Sequence, residues 1–402
     1  MRTNSNSTAN RGQPDLSIVV TTYQRPEHLR RVLASIAAQR GHNAQLEVIV
    51  ADDGSTDHTP EVVREFAKSA RFPVAFTTAP HDGFRAAANR NRGVAASSAP
   101  YLLLLDGDCL IPPDHVAIHL AARRLGTAWT GYCIHLNQVA SESLDVAAVH
   151  AGHFTSLAPW RDRYKLWKMA QKARFYSWLN HPQKPKLLSG NVGIARADFE
   201  RVNGFDEAFV GWGCEDDDLG QRLRAAGVRV ASILHRTNTY HLWHPRSPSV
   251  PTTWRDGTNV EYLHRRGKLV RCANGLIKRR AGDLQLHLLD EAELLLAVPG
   301  LAKSLQKHLV TEEPTGADVE IRLADSPGDF TTAPSVKLLI VTQHSPQQLT
   351  DCRRADLLLC DQPLPAEFQS RTFPLANLEG ALQSLLVRAN SELPQRPLAA
   401  AA

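Results

Sequence analysis

The stretch that most constrains the fold is Tyr101–Leu110, YLLLLDGDCL. Four consecutive leucines between Pro100 and Pro112 are typical of a short strand buried on both faces of a parallel sheet. Asp106 and Asp108 follow at a spacing of two, so both carboxylates can leave the carboxyl end of the strand on one side. The stretch therefore predicts a ligand site at that end of the strand.

Two neighbouring carboxylates repel each other unless a cation lies between them. A hard divalent ion such as Mn²⁺ or Mg²⁺ suits oxygen ligands, and its usual partner in an α/β crevice is a diphosphate. The alternative is an ordinary polar turn, because Asp-Gly is a common turn dipeptide.

Three strand and helix units precede this stretch, each beginning with an apolar run: LSIVVTT, LEVIVADD and PVAFTT. Alternation of this kind predicts right-handed crossovers and a doubly wound parallel sheet. No GxGxxG follows the first two strands, so the dinucleotide-binding fingerprint is absent.

The composition is that of a globular protein of two or three domains, with 402 residues, 43% hydrophobic and 22% charged. No apolar run has the length of a membrane span, and the first residues, MRTNSNSTANRGQP, lack a signal-peptide core. A cytoplasmic protein with its six cysteines as free thiols is expected. The formal charge of +5 argues against a nucleic-acid partner.

Several motifs together carry a family resemblance. SIVVTTYQRP, EVIVADDGSTD, GFRAAANRNRGV and LLLLDGDC resemble, in order and spacing, the inverting GT-A enzymes of glycosyltransferase family 2. The stretch LLSGNVGIARADFERVNGFDEAFVGWGCEDDDLGQRLRAAG is similar to the acceptor-side motif of β-galactosyltransferases, polypeptide N-acetylgalactosaminyltransferases and bacterial chondroitin-type polymerases. The resemblance implies a GT-A nucleotide-diphospho-sugar transferase fold: an α/β protein with a doubly wound mixed sheet and a small C-terminal α/β module.

The expected organisation begins with a disordered leader over residues 1–14. A GT-A domain follows over 15–281, with a nucleotide-binding half at 15–125 and an acceptor half at 126–281. Residues 282–402 are expected to form an accessory module without catalytic motifs.

Within that module, VKLLIVTQ and ADLLLCDQ predict two buried strands, and NLEGALQSLLVRAN predicts a closing helix. The helical stretch LDEAELLLAVPGLAKSLQKHLV is expected to pack on the catalytic domain. The polar connection Thr311–Gly316 is expected to tolerate a cut.

The resemblance implies that nine residues bind the nucleotide: Thr21, Tyr23, Arg25, Asp52, Asp53, Arg90, Asn91, Asp106 and Gly107. Tyr23 offers a ring on which a base can stack. One of Asp52 and Asp53 is expected to accept the base N–H and the other to form an Asx turn before Ser55, and the resemblance favours Asp52 for the base.

The resemblance further implies a metal site for Mn²⁺ or Mg²⁺, held by Asp106 and Asp108. One histidine usually completes such a site. His241, directly after a predicted strand, is the first choice and His244 the second, with a purely structural hydrogen bond as the alternative.

Glu215–Asp218 is the second chemical centre, because four acidic residues follow a Gly-Trp-Gly turn at the start of a helix. Helix capping alone needs only one carboxylate. The resemblance implies that Asp216 is the catalytic base. It assigns the acceptor to four residues, Trp212, Gly213, Glu215 and Asp217. Cys214 stands where the family often has glycine and is expected to narrow the acceptor pocket.

Two features lie outside these motifs. The aromatic residues of WRDRYKLWKMAQKARFYSW fall near one face of a helix, which favours a core position, with contact to lipid headgroups as the alternative. The basic residues within 263–280 indicate a solvated face or an attraction for phosphate groups.

These observations predict an inverting, metal-dependent glycosyltransferase of polysaccharide or glycoconjugate synthesis. It would move a hexose or N-acetylhexosamine, galactose-type favoured, from a UDP-sugar to a saccharide or lipid-linked saccharide hydroxyl. We expect it in the cytoplasm or peripherally at the inner face of the membrane. The oligomeric state stays open.

Two alternatives remain. A nucleotidyltransferase would carry a glycine-rich loop after the first strand, and TTYQRPEH has no glycine. An inactive carbohydrate-binding scaffold would be expected to have lost DGD or EDDD, and both are intact.

Overall fold

The computed structural model describes residues 13–179, 181, 183–245, 250, 253, 257, 259–324, 326–342 and 346–390. Residues 1–12 of the predicted leader lie outside this description. The chain forms two compact units, the first within 1–199 and 228–248 and the second within 200–227 and 249–402.

This division differs from the boundary expected after residue 281. The cause is the packing of residues 200–227, whose Phe209 and Cys214 lie in one hydrophobic cluster with Leu286 and Leu338. The acidic segment therefore belongs to the same compact unit as the C-terminal module.

The strands and helices up to residue 241 are β1 (Leu16–Thr22), α1 (Pro26–Ala37), β2 (Leu46–Asp52), α2 (Thr59–Ser69), β3 (Val74–Thr78), α3 (Ala86–Ala95), β4 (Tyr101–Asp106), β5 (Cys109–Leu110), α4 (His115–Ala122), β6 (Thr127–Thr130), β7 (Cys133–His135), α5 (Gln138–Glu142), α6 (Val146–His150), α7 (Trp160–Trp178), β8 (Asn191–Ala195), α8 (Arg196–Arg201), α9 (Glu215–Ala225), β9 (Arg229–Ser232) and β10 (Thr239–His241).

The elements after residue 241 are α10 (Asn259–Leu263), β11 (Gln285–Leu288), α11 (Glu291–Ala297), α12 (Leu301–Leu305), β12 (Leu309–Val310), β13 (Val319–Leu323), β14 (Val336–Ile340), α13 (Pro346–Arg354), β15 (Leu357–Leu359), α14 (Ala366–Gln369), β16 (Thr372–Phe373) and α15 (Leu378–Asn390).

The first unit is built on a seven-stranded sheet in the order β3-β2-β1-β4-β8-β6-β9. β3, β2, β1 and β4 are parallel, whereas β8 runs antiparallel to both β4 and β6. The predicted α/β architecture with a doubly wound mixed sheet is confirmed. A small sheet, β5-β10-β7, follows and brings residues near 240 next to the end of β4.

The strand β4 is buried as its leucine run predicts. Leu103 and Leu105 are 0% and 1% exposed and share a cluster with Ile18 of β1 and Leu29 of α1. Each such side chain stabilises the fold by roughly 1.5–3 kcal/mol through burial. This packing fixes the position of β4 and so of the polar residues that follow it.

The second unit contains a six-stranded parallel sheet in the order β12-β11-β13-β14-β15-β16. The predicted strands VKLLIVTQ and ADLLLCDQ correspond to β14 and β15, and the predicted closing helix is α15. Sequence reasoning missed β13 because its Glu320 and Arg322 break the apolar pattern. Both are buried with charged partners, Lys337 and Asp351 respectively.

The helices α11 and α12 lie on this parallel sheet. Leu294, Val298 and Leu301 are buried in one cluster with Leu286 and Leu338 of the strands. The connection after β12 joins two strands of the same sheet, so a cut between 311 and 316 would divide that sheet. The expectation that the connection tolerates a cut is therefore replaced by the opposite one.

The aromatic residues of α7 are not in the core, so the expectation of a core position is wrong. Leu166, Ala170 and Ala173 face the protein instead, while Trp160 and Trp178 are 73% and 77% exposed. Within the described part of the chain, no helix is both long and apolar enough to cross a membrane. All six cysteines are free thiols, as expected.

Candidate functional site

The candidate site of the first unit lies where β3, β2, β1 and β4 end. Because neighbouring parallel strands end at one edge of a sheet, the residues that follow them come together there. His81 follows β3, Asp53 follows β2, Tyr23 follows β1 and Asp108 follows β4.

One group of side chains at this edge has the geometry of a metal site. Asp108, His241 and His244 each offer one ligand atom, and the three atoms lie within 4.8 Å of one another. His241 Nε2 is 3.5 Å from Asp108 Oδ1, and His244 Nε2 is 3.3 Å from Asp108 Oδ2. The pairing of β10 with β5 explains the approach, since it sets His241 opposite Cys109.

The donor set of this group fits a divalent ion. A carboxylate with two imidazoles suits Mn²⁺ better than Mg²⁺, which prefers oxygen ligands and several waters. The structure thus brings together Asp108 and both candidate histidines. Sequence reasoning had ranked the two histidines but expected only one to take part.

The electrostatics of the group favour an ionised Asp108. Burial raises the pKa of Asp108, but the hydrogen bond with His244 and the charges of His241 and Arg25 outweigh it, so the pKa falls below its ordinary value. Arg25 Nη1 lies 2.9 Å from Asp108 Oδ2. The hydrogen bond with Asp108 raises the pKa of His244. A divalent cation would take the place of protons on the imidazoles.

Asp106 lies outside this group of three. Its Oδ1 is 3.0 Å from Arg90 Nη2 and 3.2 Å from the Thr21 hydroxyl. Arg90 and its neighbour Asn91 are buried on α3. The structure thus brings three predicted nucleotide residues, Thr21, Arg90 and Asp106, into contact.

Gly107 is required by the close approach of β4 to β1. Its N–H donates to the Thr21 carbonyl oxygen at 2.7 Å, and a Cβ at this position would lie 2.8 Å from that oxygen. Any other residue would have to push the two strands apart.

Asp52 and Asp53 lie in different environments. Asp52 Oδ2 accepts from the N–H of Ser55 at 2.8 Å and from the Thr78 hydroxyl at 2.8 Å, and Oδ1 accepts from the Ser55 hydroxyl at 2.5 Å. Its carboxylate is thereby occupied by the turn, which is the role that the resemblance had not favoured for it. Burial raises the pKa of Asp53.

Tyr23 stacks on His81, with ring centroids 4.2 Å apart and an angle of 11° between the planes. His81 Nδ1 also lies 2.9 Å from the Asp53 carbonyl oxygen and 3.4 Å from Asp53 Oδ2. Sequence reasoning missed His81, because a single histidine in the turn PHDG carries no recognisable pattern. The three residues form a flat, polar corner beside the end of β1.

Two further groups near the metal-ligand candidates were missed. The ring of His135 on β7 lies 4.8 Å from that of His241, centroid to centroid. The thiols of Cys109 and Cys133 are 3.4 Å apart. The hydrogen bond with Cys133 and burial raise the pKa of Cys109, so this thiol stays protonated. These residues lie on β5 and β7, and both strands pair with β10. The sequence alone does not predict this pairing, so it could not show that the residues lie close to His241.

In the second unit, α9 begins with the four acidic residues. A turn with positive φ at Gly211, Gly213 and Cys214 leads into this helix. Trp212, which the resemblance assigns to the acceptor, is 39% exposed. The four acids differ in burial: Glu215 and Asp218 are buried, and Asp216 and Asp217 are half-buried.

Asp218 has a structural role. It is fully buried, its Oδ2 lies 2.6 Å from Arg222 Nε, and its Oδ1 lies 3.4 Å from Lys268 Nζ. Burial raises the pKa of Asp218, but the charges of Arg222 and Lys268 outweigh it and lower that pKa. Two residues of the predicted basic stretch form ion pairs with buried carboxylates, Lys268 with Asp218 and Arg279 with Asp318. These two residues are therefore not on a solvated face.

Cys214, expected to narrow the acceptor pocket, lies buried at the start of α9. Its side chain is 7% exposed and packs in the hydrophobic cluster with Phe209 and Tyr262. The backbone of Cys214 is left-handed, with φ 77°. This conformation explains physically why glycine would suit the position.

Comparison with known proteins adds an independent line of evidence. Residues 17–124 match the model of glycosyl transferase family 2, and residues 172–245 match that of the N-terminal domain of galactosyltransferase. The first match contains the ends of β1, β2, β3 and β4, and the second contains the acidic segment and both histidines.

Among curated proteins, the chain is 36% identical over 225 residues to validoxylamine A glucosyltransferase of Streptomyces hygroscopicus subsp. limoneus, covering 54% of this chain and 49% of that one. It is 29% identical over 235 residues to chondroitin synthase of Escherichia coli, covering 54% and 33% respectively. The chain thus spans half or less of the length of these relatives.

Among solved structures, a mannosyltransferase from Pyrobaculum calidifontis in complex with GDP-Man and Mn²⁺ matches with a TM-score of 0.42 and 18% identity, covering 59% of each chain. By these sequence matches, the N-terminal part of this chain is similar to glycosyl transferase family 2, and a region similar to galactosyltransferase follows it.

Proposed function

We propose that this chain is an inverting, metal-dependent glycosyltransferase that moves a hexose or N-acetylhexosamine from a UDP-sugar to a saccharide hydroxyl. The observation that carries the proposal is the group of Asp108, His241 and His244 at the carboxyl edge of a family 2 domain. A divalent ion held there would neutralise charge on the diphosphate of the donor as the sugar leaves.

The residues beside this group supply a nucleotide pocket. Tyr23 and His81 offer stacked rings for the base, and Asp53 is the carboxylate that we assign to the base N–H, since Asp52 is occupied in its turn. Arg90 fixes the carboxylate of Asp106, which we assign to the nucleotide together with Thr21. Arg25 and Asn91 are the remaining hydrogen-bond donors that we assign to the nucleotide.

The acid–base chemistry is assigned to the first turn of α9. Asp216 is the proposed base, which takes the proton of the acceptor hydroxyl as the sugar carbon is attacked. Glu215, Asp217 and Trp212 are the proposed acceptor contacts. The half-buried position of Asp216 and the structural role of Asp218 support this choice within the acidic segment.

The donor and acceptor require a direct screen. One relative is a glucosyltransferase, whereas the second family match is to galactosyltransferase. UDP-glucose, UDP-galactose and the two UDP-N-acetylhexosamines should therefore be compared, with chondroitin fragments and validoxylamine A among the acceptors.

The test is to measure donor turnover with Mn²⁺, with Mg²⁺ and in EDTA. We expect turnover of one UDP-sugar with Mn²⁺, lower turnover with Mg²⁺ and none in EDTA. Full turnover in EDTA would refute the metal-dependent mechanism. Release of pyrophosphate from a nucleoside triphosphate and a sugar phosphate would instead identify a nucleotidyltransferase.

A further inference from the structure

The helix α7 carries a stripe of exposed aromatic side chains that no catalytic assignment uses. Trp160, Tyr164, Trp167, Phe175 and Trp178 are each at least half exposed. Their spacings of three, four and eight residues return to the same side of a helix with 3.6 residues per turn. The five rings therefore lie on one side of the helix, as a group of three and a group of two separated by the exposed Gln171.

The stripe lies on the side of α7 that faces away from the protein. Leu166, Ala170 and Ala173 are buried residues of the helix, and at about 100° per residue they are centred about 130° around the helix from the aromatic rings. Exposure of this many aromatic side chains to water is unfavourable in free energy, and such patches commonly mark a surface that binds a partner.

Basic residues border the stripe on both sides. At about 100° per residue, Arg163 and Arg174 follow one border, and Arg161, Lys168 and Lys172 follow the other. With Lys165, the helix has six basic residues against one acidic residue, Asp162. This excess equals the formal charge of the whole chain, +5.

No carboxylate among the described residues forms an ion pair with any of the six. Lys168 Nζ instead lies 4.6 Å from the centroid of the Tyr164 ring, and the Arg161 guanidinium lies 5.7 Å from that of Trp160. Long basic side chains over aromatic rings can reach a charged layer while their apolar parts stay with the rings.

We propose that the aromatic face of α7 is a docking surface for a membrane that contains anionic lipids. A helix with Trp and Phe on one side and Lys and Arg along its borders can lie in the headgroup layer, with the rings inserted and the cations at the phosphates. The helix has 19 residues and is therefore about 28 Å long, so its convex surface offers an extended line of contact to a planar partner.

Other occupants fit these observations less well. Pairing of two copies of α7 would bring positive borders against each other, because a two-fold interface uses the same surface twice. A neutral saccharide would leave the six cations uncompensated. An anionic polysaccharide would compensate them but would be expected to lie in a groove and not on a convex helix.

The experiment is flotation of the full chain with vesicles of phosphatidylcholine alone and of phosphatidylcholine with 30% phosphatidylglycerol. We expect binding to the anionic vesicles and at least about tenfold weaker binding to the neutral ones. Trp167→Ser with Trp178→Ser, and separately Lys168→Glu with Lys172→Glu, should each weaken binding to anionic vesicles at least about tenfold.

The matched control is Arg64→Glu with Lys68→Glu, which reverses two exposed charges at the same spacing on α2 and should leave vesicle binding unchanged. Hydrolysis of the UDP-sugar without vesicles should be unchanged in every variant, so this proposal can fail while the proposed function stands.

Three results would overturn the proposal. The first is no binding of the wild-type chain to anionic vesicles. The second is an oligomer in sedimentation that the tryptophan variant dissociates, with no vesicle binding, which would make the face a contact between copies. The third is a tenfold loss of affinity for a soluble anionic polysaccharide in the variants, with vesicle binding unchanged.

Discussion

Asp108 and Asp218 are both buried aspartates surrounded by cations, yet the two environments differ in kind. Asp218 is 0% exposed in its side chain and is paired with Arg222 and Lys268. Asp108 is 13% exposed and is paired with Arg25, His241 and His244.

The difference lies in whether the partners can give up their protons. The guanidinium and ammonium groups around Asp218 stay charged, so that carboxylate is committed to an internal ion network. The imidazoles near Asp108 can lose a proton and then bind a metal through nitrogen. Two acidic residues that look alike in the sequence therefore lie in different electrostatic environments.

The largest expected effect is on Asp108. Asp108→Asn should lower UDP-sugar turnover at least roughly a thousandfold, because it removes the anionic ligand of the proposed ion. The melting temperature should change little, since Arg25 is partly exposed and can be solvated. Turnover and thermal unfolding should be measured together, with Asp114→Asn as the exposed control. Retained turnover would show that Asp108 is not a ligand.

Asp218→Asn should show the opposite pattern. Loss of one charge from a buried pair leaves Arg222 uncompensated and should cost about 3–5 kcal/mol in the free energy of unfolding. Denaturant unfolding measures this cost, and Asp217→Asn, one residue earlier on α9, should change it by less than about 1 kcal/mol. Equal stability of the two variants would contradict a structural role for Asp218.

Asp216→Asn tests the acidic segment directly. The substitution preserves size but removes the proton acceptor, so turnover should fall at least roughly a hundredfold while UDP affinity is kept. Asp290→Asn, an exposed substitution in the same unit, is the control for folding. Loss of UDP affinity would assign Asp216 to donor or metal binding.

The smallest effect on binding or turnover is expected at Tyr23, in the polar corner beside the end of β1. Tyr23→Ala removes the ring that stacks on His81 and should weaken UDP binding about tenfold. Tyr23→Phe retains the ring and should bind UDP nearly as well as the wild type. Calorimetric titration of UDP into both variants makes the comparison, and equal affinities would mean that no base stacks there.

Local patterns predicted the first unit well. The leucine run of β4 and the alternation around it are properties of consecutive residues, so the parallel strands β1 to β4 followed from them. The mixed character of the sheet was implied only by the family resemblance. The roles of Asp52 and Asp218 did not follow from local patterns. Asp52 contacts Thr78 and Asp218 contacts Lys268, and in each pair the two residues are far apart in the chain.

The same reason explains His81 and the aromatic face of α7. His81 comes close to Asp53 because β3 pairs with β2. No sequence spacing predicts its stacking on Tyr23. The amphipathic pattern of α7 gave the direction of its stripe correctly. It did not show which side of the helix meets the protein, which is the side of the buried Leu166, Ala170 and Ala173.

The most direct test of the central claim is whether Asp108, His241 and His244 hold the ion that binds the donor. UDP affinity should be measured by calorimetry with and without Mn²⁺, for the wild type and for His241→Ala with His244→Ala. We predict that Mn²⁺ increases the UDP affinity of the wild type at least about tenfold and that the double variant loses this gain. An equal gain from Mn²⁺ in the double variant would contradict the claim.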